Sequence, residues 1–168
     1  MTDQNGHTRR VSALTRLARW LGPKPWFAAV GRVVLPPVDR LTGKLTKGRF
    51  ISMRMRELPA LLLTTTGRKS GQPRATPLLY TRDGDGFVVI GSNWGQRHHP
   101  DWSSNLVANP RATVTLGGQN IPVLARLITG SEREPLWEKL LTVWPAYATY
   151  TERAGGRTLR LFRLEPTD

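Results

Sequence analysis

Apolar positions along the chain keep two different rhythms, and the rhythm changes near Pro59. Residues 1–10 read as a disordered start. Val11, Leu14, Leu17, Ala18 and Leu21 then recur at steps of three and four, which predicts one helical face with Arg16 and Arg19 off it. Gly22, Pro23 and Pro25 stop that helix. Residues 26–50 form a second apolar and basic stretch, broken by Pro36 and Pro37, which reads as short helices or loop. Beyond Pro59 the texture becomes that of strands. "ALLLTTT" predicts a buried strand and "ATPLLYTR" its partner, with Pro77 marking an edge or a bulge. "DGDG" is a tight turn into a third strand, "FVVIGSN". "PDWSSNLVANP" predicts a short helix with Pro100 at its first turn, ended by Asn109 and Pro110. "ATVTL" and "IPVLARLI" flank "GGQ" as another hairpin. Ser131 opens a helix, Glu134 completes a capping box, and Leu136, Leu140, Leu141 and Val143 supply its apolar face. "TLRLFRLEP" is a closing strand.

This order predicts a mainly β (α+β) protein. Meanders joined by tight turns imply an antiparallel sheet, curled into a barrel with helices at its ends. A basic helical arm over residues 1–56 precedes a domain over residues 57–168. No GxGxxG opens a helix and no GxxxxGK[ST] occurs, so neither dinucleotide nor P-loop chemistry is indicated.

Charge sharpens this division. The net charge of +13 is concentrated at one end: residues 1–56 hold 12 Lys and Arg against 2 Asp and Glu. Such asymmetry suggests an anionic contact for the arm. The arm's cations with Leu14, Leu17, Trp20 and Leu21 would suit an interfacial helix on an anionic membrane; packing over the barrel is the other reading. Nucleic acid is disfavoured, because no strand carries an aromatic-basic stacking surface. With no cysteine, disulfides, thiolate metal sites and cysteine nucleophiles are excluded, and a cytoplasmic setting is expected. No segment reaches the roughly 18 unbroken apolar residues of a membrane span, and the N-terminus has no signal core with a cleavage site. His98 and His99 are adjacent and lack a third ligand nearby, so no metal site is expected.

The densest chemistry lies in "TGRKSGQPR", Thr66–Arg74. Gly67 and Gly71 permit unusual dihedrals, so several backbone N–H groups could converge on one concavity. Thr66 and Ser70 add hydroxyls, and Arg68, Lys69 and Arg74 add cations suited to phosphate or carboxylate. From these residues alone, a pocket for a phosphate-bearing ligand and a solvated hairpin tip both remain open.

"LLLTTTGRKSGQPRATPLLY", followed by "GSNWG" and then "HPDWSSNLVANP", resembles the deazaflavin-dependent nitroreductase and quinone reductase family. The C-terminal "WPAYATYTERAGGRTLRLFRLEP" fits as well, so the resemblance covers about residues 35–168. It implies a split β-barrel and the 8-hydroxy-5-deazaflavin coenzyme F-420, whose phosphodiester and polyglutamate tail are anionic. By resemblance, Arg68, Lys69, Ser70, Gly71, Gln72, Pro73 and Arg74 line the phosphate and tail end, with Thr76 and Pro77 just beyond. Leu62, Leu63 and Thr64 would lie along the ring, and Ser92, Asn93, Trp94 and Gly95 would form the opposite wall. Trp102 and Asn105 would close the groove; packing and a structural hydrogen bond are the alternative for that pair. Family members often have lysine at position 93 and glycine at position 94, where this chain has Asn93 and Trp94.

Hydride transfer needs little from a protein beyond aligned donor and acceptor. Trp144, Tyr147 and Tyr150 are spaced by three and would share a face on a continuing helix, although Pro145 interrupts it. The resemblance places this aromatic stretch on the substrate side, suited to a quinone or nitroaromatic acceptor. Tyr147, Tyr150 and Ser92 are the candidate catalytic groups, and ordinary core is the alternative for the aromatics. The expected activity is hydride transfer from reduced F-420 to such an acceptor. FMN in the same barrel, or a non-catalytic deazaflavin carrier, are the rivals. Split barrels of this group often pair, so a homodimer is expected, and the arm would put the protein at the inner membrane face.

Overall fold

The alternation after Pro59 is realised as six antiparallel strands, β1 (Ala60–Thr66), β2 (Pro73–Asp83), β3 (Gly86–Gly91), β4 (Arg111–Leu116), β5 (Gln119–Leu127) and β6 (Arg160–Pro166). This computed structural model describes residues 58–167, together with Trp20 and Lys24. The predicted arm and the boundary near Glu57 otherwise lie outside the described residues. Trp20 is 65 % exposed, with the Lys24 ammonium 5.4 Å from its ring. The strands are hydrogen-bonded in the order β1-β2-β3-β6-β5-β4, and β4 returns to β1, so the sheet closes into a barrel. Within residues 58–167 three short helices accompany it: α1 (Asp101–Ala108), α2 (Arg133–Val143) and α3 (Ala146–Arg153).

Period-two alternation sorts the side chains. On β1, Leu61, Leu63 and Thr65 are buried, while Leu62, Thr64 and Thr66 are partly exposed. The strand expected to be buried is thus buried on one face only. β3 is the strand buried throughout, because something covers each of its faces. Phe87 and Val89 join Leu61, Leu63, Val114, Val123, Phe162 and Leu164 inside the barrel, where Trp102 and Leu106 of α1 plug one end. Val88 and Ile90 point outward to a second core built with Leu136 and Leu140 of α2 and Tyr147 and Tyr150 of α3. The β4–β5 hairpin turns on Gly117 and Gly118, with φ of +60° and +85°, as a two-residue turn matched to the strands' twist requires.

One local expectation gives way and another holds. The capping box at Ser131 does not form: Gly130–Glu132 is a 3-10 turn, and α2 begins after it without a side-chain cap. The Glu132 carboxylate is drawn to Arg126 on β5, with Nη2 to Oε2 at 3.0 Å. The interruption expected at Pro145 is there: the helix after Ser131 ends before Trp144, whose φ of −143° and ψ of 92° are extended. Pro145 has no N–H to continue α2, so α3 starts anew there. At the far end, Asp83 accepts from Arg163 at 2.5 Å and from Lys139 at 3.1 Å, which ties the β2–β3 turn to β6 and α2.

Candidate functional site

The register opens the barrel at one place. β2 pairs with β1 from Pro73 to Leu79, but with β3 only from Tyr80 to Asp83. Above Tyr80 the two strands part, and Ile90 and Gly91 pair only with β6. Pro77 lies on the freed side of β2, so the edge expected for it is there although the barrel closes below. The β1–β2 turn, the segment after β3 and α1 all lie at this same end.

The β1–β2 turn is closed on itself. Gly67 N–H donates to Gln72 O at 2.8 Å, Gly71 N–H to Gly67 O at 2.8 Å, and Ser70 N–H to Gly67 O at 3.2 Å. Gln72 N–H donates to Ser70 Oγ at 3.3 Å, and Arg68 N–H to Asn105 Oδ1 at 3.1 Å. These backbone groups therefore do not converge on an open concavity as expected, because a turn this tight satisfies its own donors. The donors this turn presents outward are then chiefly side chains. Arg68 Nη1 reaches Asp101 at 2.9 Å and Asn105 Oδ1 at 3.3 Å. Lys69 and Arg74 are exposed and have no acidic partner among the described residues.

Asn105 is the joint beneath the turn. It is 3 % exposed, accepts from Arg68 and donates through Nδ2 to Thr65 Oγ1 at 3.1 Å. Thr65 Oγ1 in turn reaches Arg74 O at 3.4 Å. Trp102 is 6 % exposed, with its ring centroid 5.8 Å from that of Phe162. Packing and a structural hydrogen bond, the alternative left open for this pair, are what these positions display. Strand alternation also divides the β1 trio: Leu63 is wholly buried in the barrel, while Leu62 and Thr64 face outward beside Pro77 and Ala75. Thr76, opposite Leu63, shares its inward side.

Across the gap lies an unusual turn. Asn93 and Trp94 have φ of +47° and +56°, and Gly95 follows at +76°. Left-handed backbone costs a non-glycine residue of order 1 kcal/mol or more. Asn93 offsets part of this by donating from Nδ2 to His98 O at 3.0 Å. The turn closes on itself through Gly95 N–H to Ser92 O and Gln96 N–H to Asn93 O, both at 3.0 Å, and one guanidinium spans it: Arg157 donates to Gln96 O at 2.9 Å, Gly91 O at 3.0 Å and Ser92 O at 2.8 Å. Its Nη1 also lies 3.3 Å from His99 Nδ1. Burial first, then Arg160 and Arg157, push the His99 pKa down, so the ring is neutral at neutral pH and accepts through Nδ1. The sequence does not reveal Arg157, Asp101 or Thr65 as parts of this site. Their partners lie 33 to 66 residues away, and "AGGR" carries no motif.

The aromatic stretch is buried: Trp144, Tyr147 and Tyr150 are 8 %, 6 % and 2 % exposed. Tyr147 and Tyr150 lie on one turn of α3, ring centroids 6.2 Å apart, and Tyr150 is 6.1 Å from Trp94. Trp144 belongs to the same cluster from the kink between α2 and α3 and hydrogen-bonds Tyr150. Burial, with a smaller push from Tyr150, holds the Tyr147 phenol far above its ordinary pKa. Burial also raises that of Tyr150, against the Trp144 hydrogen bond and Arg153. Both are therefore neutral O–H groups, able to donate a hydrogen bond and unsuited to act as bases. Among the described residues, no cluster of His, Asp and Glu could hold a metal ion. No helix among them is long and apolar enough to cross a membrane.

A sequence profile described as F-420H(2)-dependent quinone reductase matches residues 41–166. An F-420H(2)-dependent quinone reductase of Mycobacterium tuberculosis is 44 % identical over 68 residues, 40 % of this chain and 46 % of that protein. The chain thus spans about half the length of this curated relative. A solved F-420H(2)-dependent reductase is 35 % identical with a TM-score of 0.59, covering 64 % of this chain and 94 % of the other. A second solved structure, described as a domain-swapped dimer, is 30 % identical with a TM-score of 0.59, covering 77 % of this chain and 99 % of the other.

Proposed function

Since the chain belongs to the F-420H(2)-dependent quinone reductase family, we propose that it binds coenzyme F-420 where β2 parts from β3. There it directs a hydride to a quinone, a nitroaromatic or a similar flat acceptor. The observation that carries this reading is the pair Lys69 and Arg74. Two exposed cations with no acidic partner among the described residues stand in and beside the β1–β2 turn, at the end of the barrel where β2 parts from β3. The site suits the coenzyme in its chemistry: side-chain cations for an anionic tail, and an aromatic turn for a flat ring system.

The bound reduced deazaflavin supplies the hydride. In this reading Lys69 and Arg74 hold its phosphodiester and tail, with Ser70, Gly71, Gln72 and Pro73 shaping the approach. Arg68 fixes the turn through Asp101 and Asn105. Leu62, Thr64 and Pro77 form one side of the ring site, and Ser92, Asn93, Trp94 and Gly95 the other; Leu63, Thr76 and Trp102 support from within. Trp94 brings Tyr150 and Tyr147 to the acceptor side, where a neutral phenol donates a hydrogen bond to the acceptor oxygen. The same reading has a homodimer, a cytoplasmic location, and residues 1–56 as an arm that meets the inner membrane face, where quinones are found.

The test is a binding titration with F-420 and, in parallel, with FMN, at low and moderate salt. F-420 should bind more weakly as salt rises. Replacing Lys69 and Arg74 by alanine should cost about tenfold or more in affinity per cation with the fold retained. Preference for FMN overturns the cofactor, and binding of neither overturns the function. Unchanged F-420 affinity in the folded double variant removes the tail from this turn.

A further inference from the structure

We propose that Arg157, with neutral His99 as its fourth partner, is the positioning residue for the coenzyme wall Ser92–Gly95; the inference rests on the deazaflavin reading above. The three carbonyls it takes, from Gly91, Ser92 and Gln96, bracket the left-handed residues Asn93, Trp94 and Gly95. The turn's own two backbone bonds, Gly95 N–H to Ser92 O and Gln96 N–H to Asn93 O, work against the preference of its non-glycine residues for other basins, and Arg157 adds donors from outside the turn. One planar guanidinium spreads its donors over three nitrogens in a fixed fork and engages the three carbonyls and His99 at once, four acceptors where a lysine ammonium has three donors on a single nitrogen. No acidic side chain pairs with Arg157 among the described residues, so its donors go to the turn and to His99. Gly95 meets the backbone of α3 on the other side, where a Cβ would lie 3.0 Å from Tyr150 O. The wall is therefore gripped by Arg157 on one side and stopped by α3 on the other, which sets where the Trp94 ring stands.

His99 makes the grip conditional. Its Nδ1 accepts from Arg157 only while the ring is neutral. The charged groups that bear on it are Arg160, at the start of β6, and Arg157 itself; Asp101, two positions along, is turned to Arg68. Protonation would replace an acceptor by a third cation facing two guanidinium groups. Because the folded ring's pKa is lowered, the contact is complete above the ordinary histidine range and is lost as pH falls below it.

Calorimetric titration with F-420 from pH 7.5 down to about pH 5.5 tests this. Folding is followed in parallel by circular dichroism for the native chain, R157Q, R157K and H99Q. At the upper pH, R157Q should bind F-420 at least about tenfold more weakly, with R157K between it and the native chain. Native affinity should fall toward low pH by several-fold more than that of H99Q, whose amide oxygen accepts at every pH. The comparison removes the coenzyme's own titration. A folded R157Q of native affinity, or parallel pH profiles for native and H99Q, overturns the proposal; should R157Q not fold, R157K and H99Q decide by the same criteria. A merely structural Arg157 would lower thermal stability and leave the affinity of the folded chain and its pH profile alone. A native chain that binds no F-420 refutes the functional reading and this inference with it. A native chain that binds, with R157K and R157Q binding equally well, refutes this inference only.

Discussion

Replacing Gly95 with alanine separates two costs that coincide at the candidate cofactor wall. The first is backbone: at φ +76° an added Cβ meets the strain of the left-handed region, about 1–2 kcal/mol. The second is contact. The new Cβ would lie 3.0 Å from Arg153 Cβ, 3.0 Å from Tyr150 O and 3.1 Å from Tyr150 Cα. The last two are helix backbone, so α3 or the turn must move by a few tenths of an ångström. Overpacking of that kind costs about 1–3 kcal/mol, bringing the total to about 2–5 kcal/mol. Gly117→Ala is the control: its φ is +60°, yet nothing lies within 4 Å of the added Cβ, so only the backbone cost applies. Urea unfolding of both variants at unchanged m should show the Gly95 variant less stable than the Gly117 variant by about 1–3 kcal/mol. F-420 affinity should drop only in the Gly95 variant. Equal losses of stability would refute the claim that α3 sets the position of this turn.

Two further outcomes follow from the side-chain networks. Asn105→Ala should cost about 2–3 kcal/mol, since it removes the buried bond to Thr65 and the acceptor of Arg68 N–H. Hydrogen exchange at Arg68 should accelerate in this variant, and unchanged exchange would mean the turn holds without its joint. Asp83→Ala should cost about 1–2 kcal/mol at low salt by leaving Arg163 and Lys139 without that partner. Unfolding curves that superimpose on those of the native chain would show that this ion-pair group adds nothing to α2 docking.

Within the described chain, the sequence by itself determined the elements and their order. The short apolar run "FVVIG", the partial alternation of "LRLFRL", the glycine pair at 117–118 and the Pro100 and Asn109 signals are local, and local sterics decide them. The barrel was expected from six such strands, three pairs of them joined by short turns and the rest by helical segments. The motif blocks around Arg68 and Trp94 were also legible, because a known family carries them at the same spacing.

Only the tertiary structure decided which of those residues face one another. Leu63 is core while Leu62 is not, and Asn105 serves as a joint under the turn. Arg68 is committed to Asp101, which leaves Lys69 and Arg74 as the cations without an acidic partner among the described residues. The left-handed run at Asn93–Gly95 has a weak local signature in Asn93 and Gly95 and none in Trp94, which does not favour that region. It persists because Arg157, more than sixty residues later, supplies donors to the carbonyls around it. The physical reason is range. Backbone preferences act within a few residues, whereas burial, ion pairing and the satisfaction of stray carbonyls depend on what the closed barrel brings within 3 Å.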